Sequence, residues 1–162
     1  MMKAKPITNF SGEFSFLSNF YAWPVEFEGA VYDSVECAFQ AAKTTDLALR
    51  RNFEHMKPAE AKRAGRKLPL RLTWDMIRLD IMEYLLRRKF EVEPMRGKLL
   101  ATGEAELIEM NWWKDRFWGV YNGAGENHLG KLLMKVREEL RHESERHSEV
   151  VSGRGVDQRP AG

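Results

Sequence analysis

Only one cysteine, Cys37, stands among the 162 residues, so no internal disulfide can form and no cysteine cluster can hold a metal. A lone thiol fits a reducing compartment. Long apolar runs are missing as well. Nothing approaches the roughly eighteen consecutive apolar residues of a membrane span, and Met1 to Thr8 carries Lys3 and Lys5 with no apolar segment after them. The expected location is therefore the cytosol. Charge of one sign is also scarce: 26 basic against 24 acidic residues leave a formal net charge of +2, which gives no global electrostatic case for gripping long DNA. There is no internal repeat, no Gly-x-Ser-x-Gly elbow, and neither a Walker nor a full dinucleotide-binding pattern. Of the histidines, His55, His128, His142 and His147, no pair has metal-ligand spacing with a supporting carboxylate, so neither a metal nor a cofactor is expected.

What remains is an ordinary globular balance, 43% hydrophobic and 31% charged, long enough to bury one core. Its pattern predicts a mainly helical α+β domain with a small β element. Aromatics crowd the first third, with Phe10, Phe14, Phe16, Phe20, Tyr21 and Trp23 around Gly12 and Asn19. Short extended pieces at Val25–Glu28 and Ala30–Tyr32, broken by Gly29, suit a hairpin. A helix is expected from Asp33, as its cap, to about Thr45, with Val35, Phe39 and Ala42 as its core stripe. Others are expected at Pro58–Gly65, Trp74–Phe90 (Ile77, Ile81 and Leu85 on one face) and Pro94–Ala101, the last ended by Gly103. Glu106–Met110 reads as a strand, and a final helix starts near Glu126 with Leu129, Leu132, Leu133, Val136 and Leu140. The domain is expected to span residues 1–143. Residues 144–162 have almost nothing to bury and read as a disordered tail.

Three constellations could carry chemistry. Glu36, Gln40 and Lys43 stand at i, i+4 and i+7 and share one side of a helix beside its apolar stripe, where partial desolvation shifts pKa values. The competing structural reading makes Asp33-x-x-Glu36 a capping box and Lys43 a solvated surface lysine. The second is Asn111–Gly119, in which Trp112, Trp113, Phe117 and Trp118 could stack a planar group while Asp115 and Arg116 orient it. The alternative is that these rings cap the core. The third is Gly123–Gly130, a glycine-rich turn into a helix whose free N–H groups could receive a phosphate, or which is a plain cap. A basic cluster, Lys62, Arg63, Arg66, Lys67 and Arg71, reads as a solvated helix face rather than a patch.

Taken in order, the segments Gly12–Phe20, Gly29–Lys43, Ala61–Arg66, Trp74-Asp75, Lys89-Phe90, Leu99–Gly103, Asp115–Gly119 and Gly125–Met134 resemble the NADAR family, named for its association with NAD and ADP-ribose. The resemblance spans about residues 10–140. Cys37 and Ala38 depart from it, standing where many members carry a His and a bulkier residue, which would alter selectivity if that His lines the pocket. The resemblance implies a compact NADAR-like domain that hydrolyses a bond between ribose C1 and a nitrogen. Two substrate classes are known in the family: ADP-ribosylated guanine in nucleic acid, where the reaction reverses a toxin's modification, and ribosylated pyrimidine intermediates of riboflavin synthesis. It implies Glu36 as the catalytic carboxylate, acting as general base or stabilising oxocarbenium-like charge. Lys43 would bind phosphate or form a Schiff base with an opened sugar. Trp118, with Phe20 or Trp113, would stack the base. Asn19, Gln40, Trp74, Asp115, Gly119, Gly125 and Asn127 would complete the substrate site. The partners implied are ADP-ribosylated guanine in nucleic acid or a ribosylated nucleotide-like small molecule; a toxin partner is not specified. The rival readings are a non-catalytic module that binds ADP-ribose and a helical interaction protein docking through Trp74–Phe90.

Overall fold

The structure, a computed structural model, describes residues 2–153. A 3-10 turn at Gly12–Leu17 pushes Phe16 and Leu17 into the core, and Phe16 meets Phe90 edge-on at 6.5 Å. Strands β1 (Ala22–Phe27) and β2 (Ala30–Ser34) form the expected hairpin, antiparallel, with Val25 opposite Tyr32 and Phe27 opposite Ala30. Alternation turns Val25, Phe27, Tyr32 and Ser34 inward. The two-residue connection, Glu28 and Gly29, has positive φ at both positions, the turn whose twist matches a hairpin.

Helix α1 (Val35–Ala41) follows at once and is buried at every position. It is shorter than expected at both ends. Asp33 is not its cap: Asp33 lies exposed in β2, facing His55 at 3.1 Å, and the Ser34 hydroxyl receives the Cys37 N–H at 3.1 Å instead. Glu36 therefore makes no capping box with Asp33. Beyond Ala42, Thr44 and Asp46 turn their side chains onto local N–H groups and stop the helix. Asp46 caps a short helix, α2 (Leu47–Arg51), that the sequence pattern did not announce.

Helices α3 (Pro58–Gly65), α4 (Trp74–Phe90) and α5 (Met95–Leu100) lie where expected. Helix α4 buries Ile81, Leu85, Leu86 and Phe90 while Ile77 is half-buried. It packs on α6 (His128–Gly153), which contributes Leu129, Leu133, Val136 and Leu140. Arg87 clamps Glu139 with two bonds of 2.8 Å across that seam. Glu106–Met110 is extended but not a strand: isolated bridges tie Leu107 to Ile7 and Met110 to Val120, and the Asn127 side chain bonds the Glu109 N–H and the Leu107 carbonyl. The last helix also outruns its apolar stripe. Residues 144–153, expected to be unstructured, are helical, carried by spaced pairs such as His142 with Glu138 and Glu145 and by Ser144 bonding back to Leu140. The remainder of the expected tail, residues 154–162, lies outside the described residues. None of the described helices is long and apolar enough to cross a membrane.

Candidate active site

A cleft of about 570 Å³ opens between the buried face of α1, the basic end of α3 and the aromatic segment Asn111–Gly119. Asn19, Phe20, Glu36, Gln40, Lys43, Asp115 and Trp118 all line it, so seven of the residues singled out from sequence converge. Residues separated by almost a hundred positions meet because α1 runs directly off β2 with no loop between them. This pins Glu36 and Gln40 beneath the Ser18–Phe20 segment, where the Glu36 N–H bonds the Asn19 carbonyl at 3.1 Å.

Glu36 and Gln40 form the floor. Gln40 Nε2 donates to Glu36 Oε1 at 2.8 Å, while Gln40 Oε1 and Asn19 Oδ1 are buried acceptors without a partner among the described residues. Burial raises the Glu36 carboxyl above the ordinary carboxylate range, against the lowering influence of Gln40, Lys62 and Lys43. Burial also lowers the Lys43 ammonium, partly offset by Glu36. Lys43 is thus no free surface lysine.

The sequence reading missed a third carboxyl of the cleft, Glu109, beside Glu36 and Asp115. Burial, reinforced by Asp115, pushes it up to about 7. Its backbone is held from both sides, the N–H by Asn127 Oδ1 at 3.0 Å and the carbonyl by the Val120 N–H at 2.8 Å. The signal that could have found it is its place between Ile108 and Met110, a charge in an otherwise apolar run. Asp115 plays a mixed part: its Oδ1 receives the N–H groups of Phe117 and Trp118 at 3.0 and 2.9 Å, which folds the aromatic segment back on itself.

Lys62, Arg63 and Arg66 line the cleft too, so this part of the basic cluster is not merely a solvated helix face; Lys67 and Arg71 stay outside. Lys62 Nζ sits 5.9 Å from the Phe20 ring and 5.5 Å from the Trp113 ring. Trp118 meets Phe39 edge-on at 5.3 Å and is half-buried, whereas Trp112 is 82% exposed on the rim.

Four of the expected site residues do not line the cleft. Trp74 is core, packed 5.0 Å from Phe39, and acts on the site only by backing that ring. Asn127 spends its side chain on the Glu109 N–H and the Leu107 carbonyl, both at 3.0 Å. Gly119 is needed for close approach: a Cβ there would overlap the Glu109 carbonyl and stand 2.7 Å from Asn111 Nδ2. Gly125, at φ +155°, lies so close to Gly119 and Val120 that no side chain fits. Nor does the glycine-rich turn offer a phosphate cradle. The N–H groups of Glu126, Asn127, His128 and Leu129 are taken by the carbonyls of residues 116–119, at 2.8 to 3.3 Å. Cys37 points elsewhere as well, fully buried with Sγ at 3.1 Å from the Met56 carbonyl, and neither it nor Ala38 reaches the cleft.

The model of the NADAR domain matches residues 5–141. The chain belongs to the NADAR family. N-glycosidase YbiA of Escherichia coli (strain K12) is 39% identical over 135 residues, covering 80% of this chain and 84% of that protein. N-glycosidase Npun_R5314 of Nostoc punctiforme is 38% identical over 133 residues, 77% of this chain and 85% of the relative. A riboflavin biosynthesis protein of Vibrio vulnificus, VVA0006, is 39% identical over 130 residues, which span 77% of this chain but 35% of that longer protein. The NMR structure of E. coli YbiA superposes with a TM-score of 0.78 at 36% identity, over 89% of each chain. The NADAR fold is therefore a compact, mainly helical domain with one small hairpin, as the sequence pattern predicted.

Proposed function

We propose that this NADAR chain is an N-glycoside hydrolase that removes ADP-ribose from the amino group of guanine in nucleic acid. One observation carries the reaction class: two carboxyls of raised pKa, Glu36 and Glu109, line one cleft with Lys43, Lys62, Arg63 and Arg66 as its cations and Phe20, Trp113 and Trp118 as its rings. Cleaving an N-riboside demands a proton for the departing nitrogen, stabilisation of positive charge at C1, and an activated water. A carboxyl near 7 is about half protonated at neutral pH and suits the acid, so Glu109 gives its proton to the leaving amine. As the C1–N bond breaks, the Glu36 carboxylate, its Oε1 fixed by Gln40, faces the developing oxocarbenium charge. Glu36 then takes a proton from the water that attacks C1. Unpaired Gln40 Oε1 and Asn19 Oδ1 accept ribose hydroxyls, and the rings stack the base. Four cations exceed what a single phosphate ester needs and suit a diphosphate, which favours ADP-ribose. Exposed Trp112 on the rim suits a neighbouring base of a single strand.

A second reading has its own support: a relative 39% identical over 130 residues is named a riboflavin biosynthesis protein, and the same machinery would cleave a ribosylaminopyrimidine phosphate. The test is turnover of both substrates side by side, an ADP-ribosylated guanine oligonucleotide and the ribosylaminopyrimidine phosphate, with Glu36→Gln and Glu109→Gln as controls. ADP-ribose released from the oligonucleotide by wild type, and by neither variant, is the expected result. Cleavage of the pyrimidine alone moves the enzyme to metabolism. A folded wild type silent on both, yet binding ADP-ribose, makes it a binding module.

A further inference from the structure

Directly behind the cleft wall lies a charged group that the proposed chemistry leaves unused. Lys89, on α4, is completely buried, and its Nζ has one hydrogen-bond partner, the Ser18 carbonyl at 2.9 Å. The rings of Tyr21 and Phe90 flank it, 5.4 and 5.1 Å from Nζ. Among the described residues no carboxylate pairs with it. A buried lysine without an ion partner is costly, and an apolar side chain of similar volume would pack there at lower cost. Its presence calls for a role other than stability.

The segment it holds is the one that matters to the site. Ser18, Asn19 and Phe20 line the cleft, and the Asn19 carbonyl receives the Glu36 N–H at 3.1 Å. Asn19 Nδ2 leans on Met82 Sδ at 3.5 Å, leaving the buried Oδ1 free. The segment is thus pinned at two consecutive carbonyls, Ser18 by Lys89 and Asn19 by Glu36. The Tyr21 N–H also reaches the Ser18 carbonyl, at 3.2 Å, so without Lys89 only that local turn holds the peptide carrying Asn19 on this side.

We infer that Lys89 is a positioning residue: through the Ser18 carbonyl it fixes the Asn19–Phe20 wall against Glu36, and it never touches substrate. The inference rests on the cleft being the catalytic site. Burial alone lowers the Lys89 ammonium to about 7, so its charge, and with it the strength of this bond, varies across neutral pH. Other charged groups face this region: Lys98 of α5 shares the Tyr21 ring at 5.9 Å, and Glu36, Lys43 and Glu109 line the same cleft.

The experiment compares wild type, Lys89→Met and Glu109→Gln, all 15N-labelled, by amide NMR across pH 5.5–9.5. In wild type and Glu109→Gln, the Ser18, Asn19, Phe20 and Glu36 amides should titrate together with a midpoint well below the usual lysine range. In Lys89→Met they should be displaced and should lose the titration that wild type and Glu109→Gln share. This needs no substrate, so it stands even if neither proposed glycoside is cleaved, and the wild-type titration stands even if the variant fails to fold. On whichever glycoside wild type turns over, Lys89→Met should lose kcat on the order of 10²-fold, the scale of an ångström-sized misplacement, with a smaller change in KM and an undiminished Tm. Wild-type kcat in a folded Lys89→Met, or Asn19 and Phe20 amides that ignore the titration in wild type, would overturn the inference.

Discussion

Adding one methyl group at Gly65 tests the floor of the site from outside it. Gly65 is the last residue of α3 and has no unusual backbone angle, so on local grounds alanine should stabilise its helix by up to about 1 kcal/mol. The Gln40 side chain forbids this. A Cβ at Gly65 would overlap Gln40 Oε1, stand 2.7 Å from its Cδ and 3.2 Å from its Cβ. Carbon atoms settle at about 3.5–4.0 Å, so the amide must retreat by about 1 Å and abandon its 2.8 Å bond to Glu36. Breaking a buried bond to a charged acceptor costs about 1.5–3 kcal/mol, which exceeds the helix gain. The net loss of stability should be about 1–2 kcal/mol, whereas kcat should fall about 10–100-fold because Glu36 loses the group that fixes it. Gln40 lowers the Glu36 pKa, so the acidic limb of the rate profile should also move upward. The assay is kcat against pH for Gly65→Ala, Gln40→Ala and the double variant. In the Gln40→Ala background the methyl meets only the Cβ of residue 40, at 3.2 Å, and should add little, giving a coupling nearly as large as the single effect. Wild-type kcat in Gly65→Ala, or additivity in the double variant, would refute the geometry.

Three further perturbations separate site from scaffold. Trp118→Ala should raise KM about 5–100-fold, the worth of a base stacked on an aromatic ring, beyond the Tm loss expected from a half-buried ring packed on Phe39; unchanged KM in a glycosidase assay returns the ring to the core. Asn127→Ala removes two buried 3.0 Å bonds and forces alanine to φ +51°, so chemical denaturation should show a loss of about 2–4 kcal/mol, whereas Asn127→Gly should recover about 1 kcal/mol. Glu109 sets a pH window for stability. The unfolded chain releases this proton near 4.5 and the folded chain only near 7, so stability falls as pH rises between them. Glu109→Gln should therefore melt higher than wild type at pH 8, and an equal or lower Tm there contradicts the burial of the carboxyl.

How far the sequence speaks depends on how local the cause is. The hairpin, α3, α4 and α5 were legible because Gly29, Pro58 and the apolar repeats of Trp74–Phe90 act within a few residues. The Glu36–Gln40 pair was legible because both lie on one turn of helix, and the family motif marked it. Misreadings arose where a distant group decides. Asp33 has the chemistry of a cap, but strand pairing keeps it in β2 and hands the cap to Ser34. The glycine-rich turn has the composition of a phosphate loop, yet carbonyls from residues 116–119 consume its N–H groups. Glu109 drew no functional reading, because only tertiary structure buries it beside Asp115 in the cleft. Lys62, Arg63 and Arg66 were dismissed as surface charge since nothing in α3 itself says that α1 lies alongside it.

The juxtaposition of cations and carboxyls makes a last consequence checkable. Lys62 lowers both Glu36 and Glu109, and Lys43 lowers Glu36, so the carboxyls of the empty cleft are already partly drawn down by the cations meant for phosphate. A substrate phosphate seated on those cations offsets their field and brings its own negative charge. A charge about 8 Å away, at an effective dielectric of about 20, is worth on the order of 2 kcal/mol, or about one pKa unit once salt screens it. The sign follows directly: both carboxyls rise on binding, and Glu109 keeps its proton to higher pH in the complex than in the free enzyme. The basic limb of kcat/KM, which reports free enzyme, should fall near pH 7, and the basic limb of kcat should lie about one unit above it. Lys62→Met should raise the first limb and narrow the gap. Coincident limbs in wild type would mean that the phosphate does not sit on these cations, or that Glu109 is not the acid, and the Lys62→Met profile tells the two apart.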